Sequence, residues 1–245
     1  LLAAESPDYS VCPADYALSS QLAIHYLESK GYFLKFPSPS EDRWQFGTKR
    51  FEILKPYGGF YQNERDLAGH QILLNYRAGQ SFDTIAQQVT LTEVMSDRVD
   101  PAAIENRIIL LGVTDSTLAK DEFNTPYPRA VRGLILQAHM VSQLLGFVED
   151  GRPLLRFLPL WGEVLFVAIG SIFGGQLAWK SRSLSWRIVF FIAPPILLNV
   201  ISFIVLLNRG LLLPLIPSIL ALSATFIIAL IFINIETKRL HRNKR

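Results

Sequence analysis

The sequence predicts an α/β or α+β domain with a partly parallel sheet over residues 1–156, followed by a bundle of three transmembrane helices. Three observations lead there. Half of the 245 residues are hydrophobic, and they concentrate after Phe157 in three runs long enough to cross a bilayer. The charge divides at the same place: residues 1–156 carry 15 Lys+Arg against 19 Asp+Glu, a net of −4, and residues 157–245 carry 9 against 2, a net of +7. Before that point, short apolar runs of strand length alternate with helical periodicity, the pattern of layered α/β folds.

The elements follow in chain order. Residues 14–30 read as a helix, with Leu18, Leu22, Ile24 and Leu27 on its apolar face and Gly31 as its stop. Residues 36–47, with Pro37 and Pro39, read as a loop; 50–54 read as a short strand, and 56–59 as a turn. Residues 71–76 form a short apolar strand. Thr90 and Glu93 have capping-box spacing and start a helix through about Met95. Asp100-Pro101 opens another. Residues 107–113 are almost wholly apolar, as expected for a strand buried on both faces. Residues 133–146 form a helix with apolar Leu134, Ile135, Met140, Val141, Leu144 and Leu145. Strand, helix, strand and helix in this order imply a parallel βαβ arrangement.

Three spans then follow, at residues 157–179, 188–207 and 211–233, and a basic tail closes the chain at 234–245. Each meets the roughly 20 residues that cross about 30 Å of hydrocarbon. Pro194, Pro195, Pro214 and Pro217 would break soluble helices, but neighbouring helices re-satisfy the backbone inside a membrane. The first loop carries Lys180, Arg182 and Arg187, and the tail carries Lys238, Arg239, Arg242, Lys244 and Arg245. The positive-inside rule places both in the cytoplasm and residues 1–156 outside. Trp161, Trp179 and Trp186 fall near span ends, where interfacial aromatics belong. Gly170, Gly174 and Gly175 offer a smooth face for close helix packing. Glu163, about one and a half turns into the first span, reads either as a functional carboxylate or as an acid reaching the interface; its nearness to the span's start favours the second.

Composition narrows the chemistry. The sequence pI near 9 comes from loops beside the spans, so nucleic acid is not an expected partner. The single cysteine, Cys12, allows no intrachain disulfide and no thiolate zinc cluster. The histidines, His25, His70, His139 and His241, have no metal-ligand spacing. No phosphate-binding loop, dinucleotide fingerprint or zinc-protease motif occurs. No metal, cofactor or catalytic residue is therefore expected. The candidate ligand site is the segment after the 107–113 strand, because open α/β sheets bind ligands beyond the carboxyl ends of their strands. Asp115, Ser116, Thr117, Lys120, Asp121 and Thr125 supply polar groups there. Asn75, Tyr76 and Arg77 end a neighbouring strand and face the same crevice, and His139 adds a contact from the following helix. The alternative is that these residues cap that helix and hold the crossover loop.

Six blocks in order resemble the CHASE2 domain: Gln71-Ile-Leu-Leu-Asn-Tyr-Arg77, Thr90-Leu-Thr-Glu-Val-Met-Ser-Asp-Arg-Val-Asp-Pro101, Arg107-Ile-Ile-Leu-Leu-Gly-Val-Thr114, Asp121-Glu-Phe-Asn-Thr-Pro-Tyr127, Gln137-Ala-His-Met-Val-Ser-Gln-Leu-Leu145 and Gly151-Arg-Pro-Leu-Leu155. The resemblance covers roughly residues 14–155. It implies an extracytoplasmic sensory domain of a bacterial signalling protein, anchored in the cytoplasmic membrane by three helices, with its C-terminus in the cytoplasm. Its stimulus would be a small molecule or a protein, and signalling relatives often dimerise, so a homodimer is an expected partner. The family's first strand and helix would lie before Leu1, which makes the domain N-terminally incomplete. An output domain either lies upstream or is lost. Tyr16-Ala-Leu-Ser and His25-Tyr-Leu resemble cyanobacterial members in which a caspase-like CHAT domain comes first.

Three functions are open at this stage: a non-enzymatic sensor, a membrane-anchored protein-binding module, and a hydrolase using Asp115 as nucleophile or base. No partner group is spaced to activate Asp115, which favours the sensor. Cys12, as the only thiol, reports the topology. A membrane-impermeant maleimide applied to intact spheroplasts is expected to label it before lysis; labelling only after lysis, with the native thiol accessible, would put the domain in the cytoplasm.

Overall fold

The structure, a computed structural model, describes residues 16–35, 43–54, 70–77, 82–113, 121–127, 129–181 and 183–242. They form two compact units that divide between Leu154 and Leu155. The fold class is mixed: helices with small sheets, one of them parallel, and three apolar helices at the C-terminal end.

The first unit is built around α1 (Leu18–Ser29), a three-stranded antiparallel sheet of β1 (Leu34–Lys35), β2 (Arg43–Phe46) and β3 (Lys49–Glu52), and α3 (Gly133–Val148). Ser19, Ala23 and Leu27 recur every four residues and bury one stripe of α1. The small side chains of that stripe let α1 lie close to α3, and Ser19 Oγ meets Met140 Sδ at 3.6 Å. A Schellman motif closes α1: the Tyr32 N–H donates to Leu27 O and the Gly31 N–H to Glu28 O, with Gly31 at φ +87°.

Residues 43–46, read as loop from the prolines before them, are a strand. Trp44 and Phe46 alternate with Arg43 and Gln45, and that two-residue period decides the matter, because both aromatics are buried. Gly47, at φ +54°, turns the chain into β3, whose Phe51 is fully buried. Phe51 meets Phe147 of α3 in a tilted contact at 4.5 Å between ring centroids and Phe46 edge-on at 5.4 Å. Ala23, Leu27, Trp44, Phe46, Phe51, Ile53, Leu144 and Val148 form one hydrophobic core.

The other local expectations divide. Thr90 and Glu93 make the capping box in full and start α2 (Leu91–Met95). The Glu93 carboxylate accepts from the Thr90 N–H at 2.7 Å and its hydroxyl at 2.8 Å, and these bonds hold it below the usual carboxylate pKa. Asp100 caps the 3-10 turn Pro101–Ala103. The parallel βαβ arrangement does not form among the described residues. Residues 107–113 join no ladder: Ile108 and Leu110 are half-buried, while Ile109, Leu111 and Val113 are exposed. An apolar run becomes a central strand only where hydrogen-bonding neighbours flank it. Residues 71–76 are extended, with an isolated bridge at Leu73 rather than a strand. The remaining pairing in this unit is the short antiparallel β4 (Glu122–Phe123) with β5 (Val131–Arg132). The turn expected at 56–59 lies outside the described residues.

The second unit contains α4 (Leu160–Lys180), α5 (Leu184–Arg209) and α6 (Leu215–Arg242), each long and apolar enough to cross a membrane. The parallel pair is here: β6 (Arg156–Phe157) lies beside β7 (Leu211–Leu212). Each leads, in the same direction, into a helix whose first turn is set by a proline. The Pro159 carbonyl accepts from the Glu163 N–H, and the Pro214 carbonyl from the Ser218 N–H. The residues before these prolines are therefore extended, and α4 and α6 begin three and four residues after the apolar runs do.

Gly170, Gly174 and Ala178 of α4 face Ser218, Leu222 and Phe226 of α6, all of them buried. A Cβ on Gly174 would collide with the Leu222 carbonyl and the Thr225 hydroxyl. Gly175, expected on this seam, has open space beside it; one helical step of 100° turns it away, and Ala178 takes the place one turn on. Because lipid gives no hydrophobic drive between helices, this close backbone approach supplies the attraction. Gly174→Leu is expected to cost about 2 kcal/mol or more by overpacking, read as loss of SDS resistance in micelles, while Gly175→Leu stays near neutral.

Candidate functional site

The site grows out of the extended segment 70–77, which lies along α3 without a strand partner of its own beyond single bridges. The Gln71 carbonyl accepts from the Leu54 N–H at 2.9 Å, and further along the segment the backbone groups are met by side chains. Gln143 of α3 is buried; its Oε1 accepts from the Asn75 N–H at 2.8 Å and its Nε2 donates to the Leu73 carbonyl at 2.8 Å. One side-chain amide thus reproduces the donor and acceptor of a neighbouring strand. Past the end of α3, Gly151 turns the chain at φ +69°, and the Arg152 N–H returns to Gly146 O at 2.9 Å. That turn sends the Arg152 side chain back to the same segment, where Nη2 donates to Tyr76 O at 2.7 Å and to Asn75 Oδ1 at 3.1 Å.

Three aromatic rings close the other side. Tyr76 meets His139 edge-on at 5.5 Å and Tyr127 edge-on at 5.5 Å. His139 is only 1% exposed, so it forms the floor beneath Tyr76 rather than a surface contact. Burial first, and then the neighbouring Tyr127, push the Tyr76 phenol above its ordinary pKa, so it stays a neutral hydroxyl at physiological pH. Burial first, and then the adjacent Arg77 charge, lower the Arg152 guanidinium from its ordinary value. Arg77 is half-exposed and pairs with Asp150 at 3.1 Å. Its Nη2 lies 3.1 Å from where a Cβ on Gly146 would be, so the glycine leaves room for the guanidinium over the last turn of α3. Two guanidiniums therefore lie near one end of the segment, offset by one close carboxylate. The Nη1 edge of Arg152 is shut from solvent and has no hydrogen-bond partner.

Of the sequence-predicted residues, Asn75, Tyr76, Arg77 and His139 come together. Asp121 sits at the start of α3, its carbonyl accepting from the Gly133 N–H at 2.9 Å and its carboxylate against the Gly133 Cα. Thr125 accepts from the Tyr127 N–H at 3.3 Å and so shapes the turn that brings Tyr127 to Tyr76. Asp115, Ser116, Thr117 and Lys120 lie outside the described residues. Sequence reasoning missed Gln143 and Arg152. Gln143 carried a signal: it is a polar residue one turn after His139, between Val141 and Leu144 on an otherwise apolar helix. Arg152 stood in the block Gly151-Arg-Pro-Leu-Leu155 that resembles the family, but nothing local tied it to residues 75 and 76.

The arrangement gathers a phenol and two guanidiniums beside a buried imidazole; Arg77 is half-exposed, while Arg152 Nη2 is engaged by residues 75 and 76. Among known proteins, the model of the CHASE2 domain family matches residues 1–176, a span that runs from the first unit through most of α4. No curated protein and no solved structure matches the chain.

The bonding pattern orders the expected costs. Gln143→Ala leaves two backbone groups without partners and should cost about 2–3 kcal/mol. Arg152→Ala should cost about 1–2 kcal/mol, because solvent reaches part of that group. Arg77→Ala should cost under about 1 kcal/mol, as an exposed ion pair. Urea melts of the chain in micelles, followed by tryptophan fluorescence, check this order.

Proposed function

The chain belongs to the CHASE2 family, an extracellular sensory domain family, and on that premise we propose that it is a membrane-bound sensory module of a bacterial cytoplasmic membrane. Residues 1–156 stand outside and meet the stimulus. The three helices carry the response across the bilayer, and the basic loop after α4 and the tail after residue 233 lie in the cytoplasm. An output domain, CHAT-like in the arrangement that the sequence resembles, receives the signal. The observation that carries this reading is the run of three apolar helices of membrane-spanning length, the first largely within the family match and the other two after it.

The reading is non-catalytic. A stimulus moves a receptor only by binding its two states unequally. The half-exposed Arg77 favours a ligand bearing carboxylate, phosphate or carbonyl oxygens, and Asp115, Ser116, Thr117, Lys120, Asp121 and Thr125 are carried from the sequence as further candidate contacts. Residues 153–159, held stiff by Pro153 and Pro159, connect this region to α4. The glycine seam makes α4 and α6 one body, so a shift delivered to α4 moves both.

The test uses the chain in nanodiscs with spin labels at Lys180→Cys and Leu240→Cys in a Cys12→Ser background. A panel of dicarboxylates, phosphate and short peptides is screened by thermal shift. A compound that raises Tm and changes the inter-label distance, both lost in Arg77→Ala, is the expected result. A compound that raises Tm with no change in the distance would leave a binding anchor, not a transmitter.

A further inference from the structure

The helix α5 has no buried residue along its 26 positions. Its half-buried stripe, including Pro194, Leu198 and Ser202, faces the rest of the bundle, and Phe191 rests against Phe226 at 5.9 Å. The opposite flank carries Ile188, Ile192, Ile196, Asn199 and Phe203 at spacings of four, four, three and four, all of them exposed. Four of these are ordinary lipid-facing residues. Asn199 is not. Arg187 and Arg209 bracket it at about 18 and 15 Å along the axis, at 1.5 Å per residue, so its amide lies deep in the hydrocarbon and reaches no headgroup.

Of the other polar side chains within the spans, Ser202 and Ser223 each carry a single half-buried hydroxyl. Ser171, Ser218 and Thr225 hydroxyls donate to carbonyls of their own helices. The amides of Gln176 and Asn234 each lie one turn from a lysine, Lys180 and Lys238, at the headgroup end, where they reach out to polar surroundings. Asn199 Nδ2 makes one bond, to Pro195 O at 3.3 Å. That leaves a second N–H and the whole of Oδ1 facing lipid, where unsatisfied polar groups are costly. The small-residue seam that would otherwise draw helices together is already used inside the chain, by α4 and α6.

We infer that two copies of this chain pair along α5, with Asn199 of each bonded to Asn199 of the other. A side-chain amide is both donor and acceptor, so it complements itself. Two copies inserted with the same orientation hold Asn199 at the same depth, and a two-fold axis along the membrane normal brings the pair face to face. The flanking isoleucines and Phe203 then pack around the amide pair. The inference stands on α5 alone and is independent of what the outer domain senses.

The test reconstitutes the full chain in liposomes, labels Cys12 with donor or acceptor dye, and follows energy transfer as protein is diluted in lipid. The wild type is expected to associate, and Asn199→Leu to associate roughly 3- to 20-fold more weakly, the range that interhelical hydrogen bonds give. Asn199→Gln should retain most of the association. In a Cys12→Ser background, Ile196→Cys and Phe203→Cys should cross-link between copies, and Leu198→Cys and Val205→Cys, both on the half-buried stripe, should not. Asn199 is exposed in the single chain, so an unchanged Tm in Asn199→Leu shows that the bundle survives the substitution. A monomeric wild type, an Asn199→Leu variant that associates equally well, or cross-linking from Leu198→Cys as readily as from Ile196→Cys would each overturn the pairing. Any of these would leave the sensory reading standing, since the distance measurement across the membrane does not depend on a second copy.

Discussion

Gln143 donates to the Leu73 carbonyl and accepts from the Asn75 N–H, and in doing so it lets the 70–77 segment lie against α3 with only single bridges to other parts of the chain. The underlying constraint is that every backbone N–H and C=O removed from water must find a partner. This chain meets the demand in three ways. The hairpin β2–β3 pairs strand with strand. Segment 70–77 borrows the side chains of Gln143 and Arg152. The apolar C-terminal third coils into helices, because in lipid no other open structure satisfies its own backbone. Where the demand is met by side chains, specific residues become indispensable, and that is where the polar and aromatic groups of the candidate site have gathered.

The same reasoning explains the construction of the helical unit. Lipid is as apolar as leucine, so helices there are joined by shape. Gly170, Gly174 and Ala178 bring α4 against α6, and the hydroxyls of that seam bond within their own helices. The prolines are kept where they do least harm, at the helix starts beside β6 and β7. The exceptions, Pro194 and Pro195, lie inside α5, the helix with no buried residue. A helix that is loosely held and carries a polar group at depth is the one left to meet another molecule.

Much of the architecture was legible without coordinates. The three apolar helices follow from run length alone. The box at Thr90 and Glu93 and the end of α1 at Gly31 follow from local chemistry that no tertiary context overrides. Residues 107–113 show the limit. Apolar composition marks the run as a strand, but whether it becomes one depends on neighbours far away in sequence, and here it joins no ladder. Residues 43–46 show the opposite error: the prolines before them suggested a loop, while the alternation of Trp44 and Phe46 already carried the strand.

The sequence by itself determined which segments are apolar enough for a membrane, where the Thr90 capping box and the Gly31 stop fall, and which family the order of motifs resembles. These are properties of periods, caps and composition, read within a few residues of each position. The tertiary structure alone decided that Gln143 and Arg152 serve the backbone of residues 73–76, that Tyr76, Tyr127 and His139 share one cluster, and that Ala178 rather than Gly175 completes the α4–α6 seam. Each of these joins residues distant in sequence, or turns on which way a helix faces. Such contacts depend on how packed elements are oriented, which no local pattern encodes.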